Sequence, residues 1–227
     1  MKKIVITGSR GVIGCVLVKG LRNYEITPMD LPENDVRDYN DLIEIFPGHH
    51  AVIHLAWDTK NGNWKSSGVC EDNRIMYENV YNAALESGVG RIIMASSVHV
   101  DKYLTWKRDH LMGVSRRLEP DSPYGRQKIL MEKMGKRLSK KGLEVVCVRF
   151  GGVSPLGQMW DDAPVVGLSH PDCVSLVKRC LEVESIPENF LILYGVSNNK
   201  KRIHDISNPL VWKPKLDAFE FYSKFIK

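Results

Sequence analysis

Lys3-Ile4-Val5-Ile6-Thr7-Gly8-Ser9-Arg10-Gly11-Val12-Ile13-Gly14-Cys15-Val16-Leu17-Val18 joins a short apolar run to three spaced glycines and then to a second, longer apolar run. Ile4-Val5-Ile6 is continuous rather than alternating, the pattern of a strand buried on both faces. The glycines stand where a strand must turn tightly, approach a ligand with its backbone, and start a closely packed helix. Such a helix offers free N–H groups and the positive end of its dipole to the turn. The segment therefore predicts a dinucleotide pyrophosphate site formed by Gly8, Arg10, Gly11, Val12 and Ile13.

The next apolar run, Ile26 to Met29, ends at Asp30, 22 positions after Gly8. A carboxylate there accepts hydrogen bonds from the adenosine ribose and repels a 2′-phosphate, which favours NAD over NADP. Arg10 is the counterweight, because a guanidinium in the loop suits a 2′-phosphate. Asp35 and Val36 follow where they bracket the adenine edge. Further on, strand-like and helix-like runs alternate: Ala51 to Ala56, Val69 to Leu85, Arg91 to Ala95, Ser122 to Lys140 and Val145 to Val148. That order predicts an α/β fold, a Rossmann-type doubly wound parallel sheet over residues 1–150, with the sheet ending near 150. Residues 151–227 read as a small C-terminal substrate-side subdomain packed on the core. It comprises a loop from Gly151 to Gly167, a helix from Pro171 to Glu182, a strand from Phe190 to Tyr194, and a tail with Trp212 and Pro214.

With 227 residues, 43% of them hydrophobic, the chain buries one sizeable core. No stretch reaches the roughly 18 apolar residues of a membrane span, and Met1-Lys2-Lys3 leads straight into a strand rather than a signal peptide, so a cytoplasmic location without a membrane partner is expected. The five cysteines are scattered and odd in number, and neither a disulfide framework nor a metal site is indicated. Cys15, Cys147, Cys173 and Cys180 read as small buried hydrophobes. A net charge of +5 suits anionic ligands but lacks the clustering of a nucleic-acid binder.

Tyr-x-x-x-Lys occurs twice, at Tyr103–Lys107 and Tyr124–Lys128. Only the second follows a capping sequence, Asp121-Ser122-Pro123, and opens a long amphipathic pattern that sets residues four apart on one helix face. A free phenol, with its pKa near 10, is a weak base at neutral pH, and a lysine one turn away favours the phenolate. A third hydroxyl is expected beyond the strand Arg91 to Ala95, and of Ser96 and Ser97 the reading selects Ser97.

Together, Thr7-Gly8-x-x-Gly11-x-x-Gly14, His54-Leu55-Ala56, Asn79-x-x-x-Ala83-Ala84, Ser96-Ser97 and Tyr124-Gly125-x-x-Lys128 resemble the extended short-chain dehydrogenase/reductase superfamily, in its NAD-dependent epimerase/dehydratase group. The resemblance implies Ser97, Tyr124 and Lys128 as catalytic trio, Asp30 on ribose, and Leu55 and Ala56 along the cofactor. Leu31, Trp57, Asn73 and Phe150 join that cofactor-lining set, with Tyr124 and Lys128 also touching it. Ser96-Ser97-x-His99, Arg149-x-Gly151, Leu168-Ser169-x-x-Asp172 and Tyr194-Gly195-Val196-Ser197 are most similar to uronate dehydrogenase-like members. Where those carry a serine and a carboxylate-binding arginine, this chain has Gly152 and the run Gln158-Met159-Trp160-Asp161-Asp162.

The implied activity is NAD-dependent oxidation of a CH–OH group in a sugar or sugar derivative, such as a uronate or sugar phosphate. Thr59, Ser97 and His99 are the candidate substrate contacts, and the basic loop from Lys107-Arg108 to Arg116-Arg117 is a candidate anion clamp. A nucleotide-sugar epimerase or dehydratase is the rival enzyme, and a non-catalytic NAD-binding regulator the rival from another class. The resemblance also implies a homodimer through the helices Val69 to Leu85 and Ser122 to Lys140.

Overall fold

Six parallel strands form one sheet in the order β2-β1-β3-β4-β5-β6 in the computed structural model, which describes residues 1–59, 70–106 and 110–226. The strands are β1 (Lys3–Thr7), β2 (Glu25–Met29), β3 (Ala51–His54), β4 (Arg91–Ser97), β5 (Glu144–Phe150) and β6 (Phe190–Gly195). The helices are α1 (Val12–Gly20), α2 (Tyr39–Ile45), α3 (Glu71–Glu86), α4 (Pro123–Ser139), α5 (Ala163–Val166), α6 (His170–Glu182) and α7 (Ala218–Ser223). Short 3-10 turns cover Val98–Val100 and Tyr103–Thr105.

The continuous apolar strands are explained by cover on both faces. Ile4 and Ile6 face one core with Leu17, Leu176 and Val177 from α1 and α6; Val5 faces another with Leu42, Val80, Tyr81 and Met131 from α2, α3 and α4. Pro28 is tolerated because β2 is an edge strand. Helix α4 starts where the sequence places it: Ser122 accepts a hydrogen bond from Gly125 N at 3.1 Å, with Pro123 in the first turn.

Three expectations are corrected. The sheet does not end near residue 150, because β6 pairs in parallel with β5 from Val145↔Phe190 to Phe150↔Gly195. Strand β4 runs through Ser97 rather than stopping at Ala95, so both serines belong to the strand end. Cys15 is exposed, its thiol facing Arg10 O, whereas Cys147, Cys173 and Cys180 are buried as read. Strand order reverses between β1 and β3, and a crevice opens beyond the carboxyl ends of strands at such a point.

Candidate active site

The crevice holds two cavities, of about 850 Å³ and about 570 Å³, which share Gly8, Gly11, Leu55, Trp57 and Thr59. The glycine turn is tight enough to exclude side chains. Gly8 has φ +68°, and a Cβ there would stand 2.6 Å from Ala56 N; a Cβ on Gly14 would stand 2.3 Å from Gly8 O. Neither position tolerates a larger residue, and the bare backbone this leaves at the start of α1 suits a pyrophosphate.

Asp30, Leu31, Asp35, Val36 and Ala56 line the smaller cavity. Asp30 receives Arg10 N at 2.7 Å and Leu31 N at 2.9 Å, which fixes its carboxylate at the end of β2. Arg10 turns away from both cavities, its guanidinium paired with Glu33 at 2.6 Å and bonded to Leu31 O. With that charge matched by Glu33 and a carboxylate at the ribose position, the residues fit NAD better than NADP. Asp35 is engaged by Arg37, whose guanidinium holds its carboxyl below the usual range.

Val12, Ile13, Ser97, His99, Tyr124, Lys128 and Phe150 line the larger cavity. The Ser97 and Tyr124 hydroxyls are hydrogen-bonded. Lys128 donates to Ala95 O at 2.6 Å, and its Nζ lies 5.4 Å from the centre of the Tyr124 ring and 3.4 Å from that of Trp57. Burial opposes charge on both groups: the Tyr124 hydroxyl is pushed up to about 12 despite the Ser97 bond, and the Lys128 ammonium is held well below its ordinary value. In the protein without cofactor, desolvation thus outweighs the help that Lys128 gives the phenolate. His99 is anchored by Asp121 at 2.7 Å.

Some expected residues act elsewhere. Asn73 lines neither cavity; its side chain accepts from Asp58 N at 2.7 Å and donates to Asp58 O at 3.0 Å, pinning the loop that presents Trp57. In the basic loop, Lys107 and Arg108 lie outside the described residues. Arg116 lies over Trp106 and 3.4 Å from Asp101, and Arg117 is exposed; neither lines the larger cavity. Among the described residues no group of His, Cys, Asp and Glu could hold a metal ion, and no helix is long and apolar enough to cross a membrane.

Tyr103, Trp160, Asp161 and Asp162, none of them a candidate contact in the sequence, also line the larger cavity. Tyr103 opens no long helix, yet its 3-10 turn points the hydroxyl to Asp162 at 2.7 Å.

The family described as "NAD dependent epimerase/dehydratase family" matches residues 4–156. An L-arabinose 1-dehydrogenase (NAD(P)(+)) of Haloferax volcanii is 32% identical, over 89% of this chain and 91% of its own. A uronate dehydrogenase of Pseudomonas putida is 27% identical, over 87% of this chain and 77% of its own. The crystal structure of uronate dehydrogenase from Agrobacterium tumefaciens superposes with a TM-score of 0.81 at 26% identity, over 99% of this chain and 88% of that one.

Proposed function

The chain belongs to the NAD-dependent epimerase/dehydratase family, and on that premise we propose that it is an NAD-dependent oxidoreductase acting on a CH–OH group of a sugar or sugar derivative. The observation that carries this reading is the meeting of Ser97, Tyr124 and Lys128 in a cavity continuous with the glycine turn. Oxidised nicotinamide, when bound, accepts the hydride of the carbinol carbon. Gly8, Gly11 and the start of α1 hold the pyrophosphate, Asp30 the adenosine ribose, and Lys128 the nicotinamide ribose. Ser97 orients the substrate hydroxyl, and the Tyr124 oxygen takes its proton as the carbonyl forms. An ammonium on Lys128 lowers the cost of the phenolate, and the phenolate lowers the cost of the buried ammonium. His99, steadied by Asp121, and Thr59 at the shared lip contact the substrate.

Purified protein mixed with NAD and a panel of uronates, aldoses and sugar phosphates should reduce the nicotinamide with at least one of them, and Tyr124→Phe should abolish it. If no sugar gives reduction while NAD still binds, the dehydrogenase reading fails. A cytoplasmic location beside an NAD pool and a homodimer through the outer faces of α3 and α4, where Leu130 is exposed, complete the proposal. Sedimentation of the purified protein tests the dimer.

A further inference from the structure

Part of the wall of the larger cavity comes from the chain that leaves β5, from Gly151 to Asp162. Gly152 N donates to Val166 O at 3.1 Å and Leu168 N to Gly152 O at 2.8 Å, tying that exit against the end of α5. A Cβ on Gly152 would stand 3.3 Å from Trp160 Cδ1, closer than comfortable contact. A side chain at 152 would press on the edge of the indole and ask it to shift by a few tenths of an ångström. Trp160 lines the cavity and stays 55% exposed.

Two carboxylates, Asp161 and Asp162, follow Trp160 in the chain and line the same cavity. Tyr103 donates its hydroxyl to Asp162 Oδ2 at 2.7 Å, which orients the group, while Oδ1 has no hydrogen-bond partner among the described residues. Asp161 is exposed and has neither hydrogen bond nor ion pair among them. The one lysine or arginine among the described lining residues is Lys128, buried and already donating to Ala95 O.

We propose that this end of the cavity selects an uncharged sugar, with Trp160 stacking on its C–H face and Asp161 and Asp162 accepting its hydroxyl protons. Ionised carboxylates only accept hydrogen bonds, and a polyol offers donors on every carbon. An aromatic face packs against the apolar side of a sugar ring. A substrate carboxylate or phosphate would meet two like charges in a cleft whose walls focus the field, and the wall would reject it. The inference rests on the dehydrogenase reading and refines its substrate class.

The test compares matched sugars differing only at the terminal carbon: galactose, galacturonate and galactose 6-phosphate, with arabinose as the form lacking that carbon. The neutral sugars should exceed the anionic ones in kcat/KM by at least about tenfold, the low end of what juxtaposed like charges cost a wrong ligand. Asp161→Arg, on an exposed position that the fold does not need, should lower turnover of neutral sugar and raise that of galacturonate, narrowing or inverting the ratio. Trp160→Ala should raise KM for the neutral sugar about tenfold or more while NAD affinity by calorimetry stays at the parent value. Preference for galacturonate or the phosphate in the parent, or an unchanged ratio in Asp161→Arg, overturns the inference and leaves the dehydrogenase standing. Absence of nicotinamide reduction with every sugar overturns the dehydrogenase reading, and this inference with it.

Discussion

Replacing Lys128 with Met removes one charge and little volume, and the structure predicts opposite effects on rate and stability. Nζ lies 5.4 Å from the centre of the Tyr124 ring. At that separation, and with an effective dielectric near 20, the attraction between ammonium and phenolate is roughly 3 kcal/mol, about a hundredfold in a rate that needs the phenolate. Stability moves the other way. Lys128 is 3% exposed, and burial holds its ammonium well below the ordinary lysine value, with Cys147 and Glu132 acting weakly in the opposite sense. A fold that binds this proton less firmly than the unfolded chain gains stability as pH rises toward the ordinary lysine value, where the unfolded amine also becomes neutral. Met relieves the penalty most at neutral pH and below, and the relief fades toward that value. Initial rates followed at the reduced-nicotinamide band, with thermal unfolding at neutral and alkaline pH, separate the two effects. The variant should lose about a hundredfold in kcat while its Tm at neutral pH equals or exceeds the parent's, with the gap closing in alkaline buffer. A kcat within about threefold of the parent, or a loss of rate matched by a loss of Tm, refutes the electrostatic role.

Because burial pushes the Tyr124 hydroxyl up to about 12, the phenolate is scarce at neutral pH, and kcat/KM for oxidation should climb with pH; a profile flat from neutral to alkaline pH would exclude Tyr124 as the base. Gly8→Ala forces a side chain into φ +68°, at roughly 1–2 kcal/mol for the left-handed backbone, and drives a Cβ toward Ala56 N, so NAD binding by calorimetry should be lost and Tm should fall. Glu132 holds the buried Arg149 through two contacts of 2.9 Å and accepts from Ser96 at 2.6 Å, so Glu132→Gln should cost about 3–5 kcal/mol in denaturant unfolding; a loss below about 1 kcal/mol would mean that Arg149 finds another partner.

What was legible in the sequence follows the range of the forces involved. The glycine turn, Asp30 and the Tyr124–Lys128 pair are local patterns, each decided by a few consecutive residues, and the fold places them as their spacing requires. β6 was recognised as a strand but not as part of the sheet, because its pairing with β5 spans the residues between 150 and 190 and leaves no mark in either strand alone. Tyr103 does not meet the helix criterion that selects Tyr124, since its hydroxyl is aimed by a 3-10 turn and by a carboxylate 59 positions away. Asn73 shows the converse. The resemblance sets it along the cofactor, but the β3–α3 loop has backbone groups of its own to satisfy, and Asp58 claims both ends of the side chain. The same logic sets the two halves of the site apart. A pyrophosphate is recognised largely by backbone, which glycine spacing reveals, whereas a sugar is recognised by side chains gathered from separate loops. The approach of Trp160 to Gly152, within 3.3 Å of where a Cβ would stand, emerges only when those loops are brought together.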